Sequence, residues 1–373
     1  MSRIWFFLIT LMLLFSALGS RDTIASLDRA MVHAVGIDKS GEGYSVTLQV
    51  FRPDSEGSDT RLDPAKANIF VISASAPTVE EAMTVCEGRL GEFLFIGHMQ
   101  VIVLGRGVSF EDPGRLFSVF LKSKESYLGV KLACTDGKAS ELLSAELSEG
   151  AVAAQNIVSI IERHAENSMT AVCDLLGAVS SEAPVMMPVL RTVRPSPDSQ
   201  QSSDSSDSGS SEELTLSAEG ARVYIRGREA FDLTAEECSV PAQFDGISGR
   251  VMLEAEAKSG KAAVSVKDGQ AEISAEKRGD RIAVRLEIGV TVQSSQSTDQ
   301  LFDRDELIRS CEAELTGRCE RFISRCRAEH ADLLHIAELV RSRYPEVWLG
   351  CGGDAEAVFD LCDIEAEVRC RVN

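Results

Sequence analysis

Apolar and polar residues alternate from 44 to 51, with Tyr44, Val46, Leu48 and Val50 on one side of the chain, the period of a strand with one wet face. The apolar segment 31–38 precedes it across a polar, glycine-containing turn at 39–43, so the two predict a hairpin. A polar loop with two prolines spans 52–68, and 69–75 reads as the next strand. Thr78 stands three residues before Glu81, a capping box that opens a helix running to about Leu90. The stretch 91–105 is apolar almost throughout and bounded by glycines. A strand without polar alternation is covered on both faces, so this one is expected in mid-sheet. Leu116, Phe117, Phe120 and Leu121 recur at one-turn spacing over 115–123 and predict an amphipathic helix. A strand at 128–134 and a short helix holding Leu142 and Leu143 come next, so strand and helix alternate. Helices at 150–167 and 170–179 and an extended, proline-containing segment at 183–190 close this half.

Serine and aspartate dominate 193–213, a composition that cannot bury apolar area and reads as a linker. It divides the chain into an N-terminal body at 21–192, with room for two subdomains, and a C-terminal body at 214–373. The second body opens with a hairpin at 220–231. Strands at 250–257, 261–267, 270–277 and 281–292 follow, separated by Ser259-Gly260, Asp268-Gly269 and Arg278-Gly279-Asp280. That is an antiparallel meander with one buried face. A helix at 305–328 supplies the cover: Leu307, Ile308, Leu315, Phe322 and Ile323 share a side with Cys311, Cys319 and Cys326, which act there as small hydrophobes. A second helix at 332–343 stops before Tyr344-Pro345, and the last strand runs over 363–372. The expected class is α+β in more than one domain, with mixed sheets flanked by helices and a helix-covered meander in the C-terminal half.

With 373 residues the chain exceeds one ordinary core. Its formal charge of −20, with no cluster of Lys and Arg, excludes nucleic acid as a partner and disfavours adsorption of the whole chain to anionic lipid. The start changes the picture of where it works. Arg3 precedes an apolar run at 4–18, broken only by Thr10 and Ser16, that ends in Gly19-Ser20-Arg21-Asp22. This is short of the roughly 20 residues of a spanning helix, and it has the order of an export signal, so 1–19 is set apart as a signal peptide or membrane anchor. The mature chain is expected outside the cytoplasm. Ten cysteines are present, none in a Cys-x-x-Cys pair, so neither zinc nor redox chemistry has its signature and most are expected as buried thiols. Cys351, Cys362 and Cys370 are the positions where a bridge or a metal would be least out of place.

The five histidines are the side chains best suited to acid–base work near neutral pH. His33 and His98 lie in apolar stretches and are expected in the core. His164 follows Glu162-Arg163 on a solvated face, and His330 and His335 stand five apart, off the one-turn spacing that would offer both to one metal. No His-Glu-x-x-His, Gly-x-Ser-x-Gly, phosphate loop or dinucleotide fingerprint occurs. Trp348 reads as an anchor for the last helix. The expectation is a protein without catalytic residues, metal or cofactor.

Several weak motifs occur in a family's order. Gly36-Ile37-Asp38-Lys39 precedes the strand from Tyr44; Gly97-His98-Met99-Gln100-Val101-Ile102-Val103-Leu104-Gly105 leads to Phe120-Leu121-Lys122-Ser123-Lys124-Glu125 and then Gly137-Lys138-Ala139-Ser140-Glu141-Leu142-Leu143. The chain ends with Ala331-Asp332-Leu333, Tyr344-Pro345-Glu346-Val347-Trp348, Phe359 and Ile364-Glu365-Ala366-Glu367-Val368. In this order the chain resembles the Ger(x)C family, the C subunits of nutrient germinant receptors in endospore-forming bacteria. It departs from the family where Leu334-His335-Ile336-Ala337 replaces a Gly-x-Gly, and where the Leu-x-Gly of the hairpin near 231 is lost. The resemblance implies a lipidated cysteine at the end of the signal, but here Leu18-Gly19-Ser20 carries a hydroxyl, a far poorer nucleophile than a thiol. Either Ala17-x-Gly19 is an ordinary cleavage site, or the uncleaved segment anchors the chain; the membrane-bound partners that the resemblance implies favour the anchor. Those partners are the membrane-embedded A and B subunits of the receptor, and the location is the outer face of the spore inner membrane. The rival expectation is an exported protein that captures a small molecule between its two halves.

Overall fold

In a computed structural model, the described residues are 5, 29–51, 69–123, 127–145, 153–163, 171–193, 215–244, 251–257, 260–293 and 303–372. β1 (Arg29–Ser40) and β2 (Gly43–Phe51) form the expected hairpin, and β3 (Ile69–Ala76) extends it antiparallel. α1 (Val79–Leu90) starts as its capping box dictates, the Glu81 amide donating to Thr78 Oγ1 at 3.2 Å. The single strand expected over 91–105 is two strands, β4 (Phe93–Phe95) and β5 (Val101–Leu104), both parallel to β1. Between them the Met99 amide turns back to the Ile96 carbonyl at 3.1 Å and the Gln100 amide reaches the His33 carbonyl at 2.9 Å, so Gly97 and His98 leave the ladder.

α2 (Pro113–Lys122), β6 (Lys131–Thr135), α3 (Ala139–Ser144), α4 (Ala153–Arg163), α5 (Val172–Ser181) and β7 (Val185–Val193) follow. β1, β5, β6 and β7 are the parallel centre of the sheet. Its period-2 alternation splits the core. Val101 and Val103 pack beneath α3 and α4 with Leu143 and Ile157, while Ile102 and Leu104 pack on the opposite face with Met83, Phe117 and Leu175.

Beyond residues 194–214, β8 (Thr215–Ile225) and β9 (Arg228–Leu233) pair onto β7 and complete a nine-stranded sheet of order β3-β2-β1-β5-β6-β7-β8-β9, with β4 beside β1. α6 (Ala235–Phe244) then leads to a second sheet of β10 (Val251–Ala257), β11 (Gly260–Arg278), β12 (Arg281–Gln293) and β13 (Cys362–Val372). The turn expected at Asp268-Gly269 is a bulge inside β11. β12 is long enough to pair on both sides of it, Val266 facing Val292 and Gln270 facing Gly289. Buried and exposed residues alternate along β12, and its buried face is covered by α7 (Arg304–Ala328) through Leu307, Cys311, Cys319, Phe322, Ile323 and Cys326. α8 (Ile336–Arg343), α9 (Pro345–Gly350) and α10 (Ala355–Asp360) carry the chain to β13, parallel to β12. The second core takes in Met186, Ala221 and Val223 of the first sheet, so the two sheets are packed through one continuous apolar mass.

Candidate functional site

α5 ends at Glu182, which holds a left-handed φ of 56° while the Ala183 amide closes onto the Ala178 carbonyl at 2.9 Å. This is a helix stop that ordinarily takes glycine. Close by, the β8–β9 hairpin turns through Arg226 (φ 50°) and Gly227 (φ 79°), a turn with two positive φ values whose first position favours asparagine or glycine. The two strained residues face each other, Arg226 Nε lying 3.2 Å from Glu182 Oε2.

The opposite wall comes from the end of the chain. α7 gives way to His330 (φ 51°), and the buried Asp332 carboxylate accepts the amides of Ile336 at 2.9 Å and Ala337 at 2.7 Å. Those bonds hold the first turn of α8, so the helix expected from 332 begins at Ile336, with His335 bent into φ 54° to enter it. Gly352 and Gly353, both at positive φ, return the chain past the Trp348 indole into α10, whose first turn is capped by the Asp354 carboxylate. His330 Nδ1 lies 3.2 Å from Glu356 Oε1, Arg341 pairs with Glu338 at 3.3 Å, and the Arg341 guanidinium stands over the Trp348 ring, 5.7 Å from its centroid.

Between these walls is an open cleft of about 960 Å³. Glu182, Arg226, His330 and His335 all line it, and they are the four non-glycine residues with positive φ among the described residues. Each such residue costs about 1–2 kcal/mol in an L-amino acid. Strain of that kind is retained where surroundings and function hold it, and it gathers at clamps and binding sites. The cleft offers cations, carboxylates and one aromatic face, which suits recognition of a charged chain or ligand. Among the described residues no group of three His, Cys, Asp or Glu side chains is placed to hold a metal ion.

The residues singled out in the sequence fall in different places. Ala17, Gly19 and Ser20, with His164, lie outside the described residues. His33 is half-buried and stacked on Phe51 at 5.7 Å, its Nδ1 buried without a hydrogen bond; burial, then the neighbouring His98, holds its pKa below the usual histidine value. His98 is not a core residue: it is exposed on the turn between β4 and β5, edge-on to Phe95 at 5.3 Å. Trp348 packs against the second core, and it also faces the cleft. All ten cysteines are free, with Cys362 and Cys370 buried and Cys351 half-buried. His330 and His335 reach the cleft through left-handed backbone positions, which no helical spacing rule anticipates. No described helix is long and apolar enough to cross a membrane.

A model of the spore germination protein N-terminal domain matches residues 26–192, and one described as spore germination B3/GerAC like, C-terminal, matches residues 227–373. Among solved structures, the chain is similar to one titled as the crystal structure of the GerBC protein, at 12% identity and a TM-score of 0.52, over 91% of this chain and 96% of that one. That likeness is one of fold. No curated protein matches the chain by sequence.

Proposed function

We propose, for a chain that belongs to the Ger(x)C family of spore germination proteins, that it is an extracytoplasmic, membrane-associated and non-catalytic subunit of a nutrient germinant receptor. Its partners are the membrane-embedded A and B subunits, and it works by contact. Residues 1–19 direct it out of the cytoplasm and hold it at the outer face of the spore inner membrane, with Ser20 where a lipidated cysteine would stand. The two germination-protein domains are 21–192 and 214–373, joined through 193–213, and the second lends β8 and β9 to the sheet of the first.

The contact reading is carried by one observation: the four strained non-glycine residues converge on one cleft, whose walls come from α5 with the β8–β9 turn and from the chain after α7. Trp348, Arg226 and Arg341 are of the residue types that carry most binding energy at protein interfaces. The test is co-purification of the full chain from detergent-solubilised spore membranes. Two polytopic partners in constant ratio are expected, and recovery of the chain alone overturns the reading.

The same cleft supports a second reading, an exported protein that binds a small molecule there, because its volume lies at the upper end of the range for ligand sites. Saturable thermal stabilisation of the chain by a single amino acid would favour that reading over the first.

A further inference from the structure

We infer that the end of the large sheet at which β1 begins rests on the lipid surface, with the Phe93 ring and the Arg29 guanidinium at the membrane–water interface. The inference rests on the membrane-associated reading and adds which face of the protein meets the bilayer. β1 enters the sheet at Arg29, directly opposite Phe93 at the start of β4. Phe93 is 58% exposed, large for an aromatic ring on a sheet strand. Beside it the Phe95 ring carries Arg29 over its face, 5.4 Å from the centroid, and His98 at its edge. β2 ends at this level with Phe51, which stacks on His33.

β6 runs parallel to β5, with Lys131 opposite Val101, so the residues that lead into it lie toward the same end of the sheet. They include Tyr127, 70% exposed, and Leu128. Aromatic rings interleaved with cations are the composition of a membrane–water interface, and they contrast with the −20 of the chain as a whole. The carboxylates nearby include Glu92 and Glu87, which accepts the Leu94 amide at 2.9 Å, and Asp174, which accepts the Ala171 amide at 2.9 Å next to Cys173, whose own amide bonds the Leu128 carbonyl. Arg29 and Lys131 suit lipid phosphates, whose attraction for each surface cation adds to the apolar contact.

The occupant is set by where the chain comes from. Ten residues separate Leu18, the end of the apolar run, from Arg29, a span of at most about 40 Å even when fully extended. The opposite end of the sheet, at Ser40, is farther by the length of the twelve-residue β1, about 40 Å more. A chain held by 4–18 therefore keeps the Arg29 end of the sheet within reach of the bilayer, and that end is the one that carries the exposed Phe93 and Tyr127 rings.

The test uses the full-length chain in vesicles of seven parts phosphatidylcholine to three of phosphatidylglycerol. A photoreactive residue is placed singly as Phe93→p-benzoylphenylalanine, Tyr127→p-benzoylphenylalanine, Met252→p-benzoylphenylalanine or Leu349→p-benzoylphenylalanine. All four positions are exposed, Met252 on the second sheet and Leu349 on α9, so folding is not at stake. Illumination is expected to give lipid adducts from positions 93 and 127 and none from 252 and 349, with the yield at 127 falling in the Arg29→Glu, Phe93→Ser background. Chain that floats with the vesicles but gives no adduct at 93, or equal adducts at all four positions, overturns the inference alone. Chain that does not float with the vesicles overturns the membrane-associated reading and this inference with it.

Discussion

The Arg222 guanidinium, on the strand that follows residues 194–214, is bonded to the Asp136 carboxylate at the end of β6. Arg222 is 3% exposed and also makes a forked pair with Asp232 at 2.7 and 3.1 Å, while donating to the Thr135 carbonyl. Arg191 holds the other oxygen of Asp136 at 2.6 Å. One buried cation thus ties β6 and β9 to β8, in the part of the sheet built by the chain on both sides of 194–214.

Replacement of Arg222 by Met should therefore destabilise the protein by about 3 kcal/mol, toward the low end for a broken buried pair because both carboxylates are partly hydrated. Arg222→Lys should recover only part of that, since an ammonium cannot fork across a carboxylate. Urea unfolding checks both. A lowered midpoint at unchanged slope is expected, and equal stability of Arg222→Met and wild type would show the network to be idle.

Asp38 caps a helix from far away in the sequence. Its carboxylate is buried and accepts the Ala139 amide at 2.7 Å and the Ser140 amide at 3.0 Å, so a residue of β1 starts α3. Gly105 must lack a side chain there, because a Cβ would lie 2.0 Å from Asp38 Oδ1. Asp38→Ala should cost about 2 kcal/mol by stranding two amides, and Asp38→Asn about half of that. Gly105→Ala should weaken protection of the Ala139 and Ser140 amides in hydrogen exchange. Unchanged exchange at those amides would count against the cap.

This cap explains why weak motifs were legible in order but silent as to role. Gly36-Ile37-Asp38, Gly105 and the segment at 137–143 are far apart in sequence, yet they meet around one carboxylate. Elements set by periodicity were readable in advance, such as the alternation of β12 and the apolar stripe of α7. Other boundaries were not. Apolar content alone does not reveal the turn that divides 91–105, and Asp268-Gly269 has turn chemistry that pairing with β12 overrides. The cleft was not readable at all, because left-handed positions usually announce themselves as Gly or Asn and here hold Glu, Arg and His.

Acidification should loosen the first sheet at His33. Burial, and then the His98 charge, favour its neutral form and lower its pKa in the fold. A base with a depressed folded pKa binds more protons when unfolded, so stability rises with pH across the window below the unfolded value of about 6.5 and is complete above it. Thermal midpoints measured from pH 5 to 8 should climb up to about pH 6.5, and His33→Gln should flatten that climb. An undiminished slope in the variant would place the effect elsewhere.

Cysteine reactivity should follow burial. Burial pushes the Cys311 and Cys319 thiols up to about 11, and those of Cys134, Cys326, Cys362 and Cys370 to about 12. These groups stay protonated and shielded near neutral pH. Native protein treated with iodoacetamide should be modified first at Cys173, which is exposed, and more slowly at Cys351, with all ten reacting in denaturant. Rapid native labelling at Cys326 or Cys362, read by peptide mass, would contradict the packed core around α7.

Strain at the cleft separates stability from function. His335 enters α8 at φ 54° without a side-chain capping bond, so His335→Gly removes a backbone penalty without losing a cap. Glycine returns part of that gain through its freer unfolded chain, leaving a net stabilisation of about 0.5–1 kcal/mol. Arg226→Asn should do the same, because asparagine before Gly227 suits the hairpin and the exposed pair with Glu182 contributes little. A residue kept only for the fold would give a protein as active as it is stable. If the cleft is a contact surface, spores carrying His335→Gly or Arg226→Asn should hold a more stable chain yet germinate more slowly with nutrient. Wild-type germination from both variants, with their thermal midpoints raised, would assign the strain to folding history and remove the cleft from the receptor's contacts.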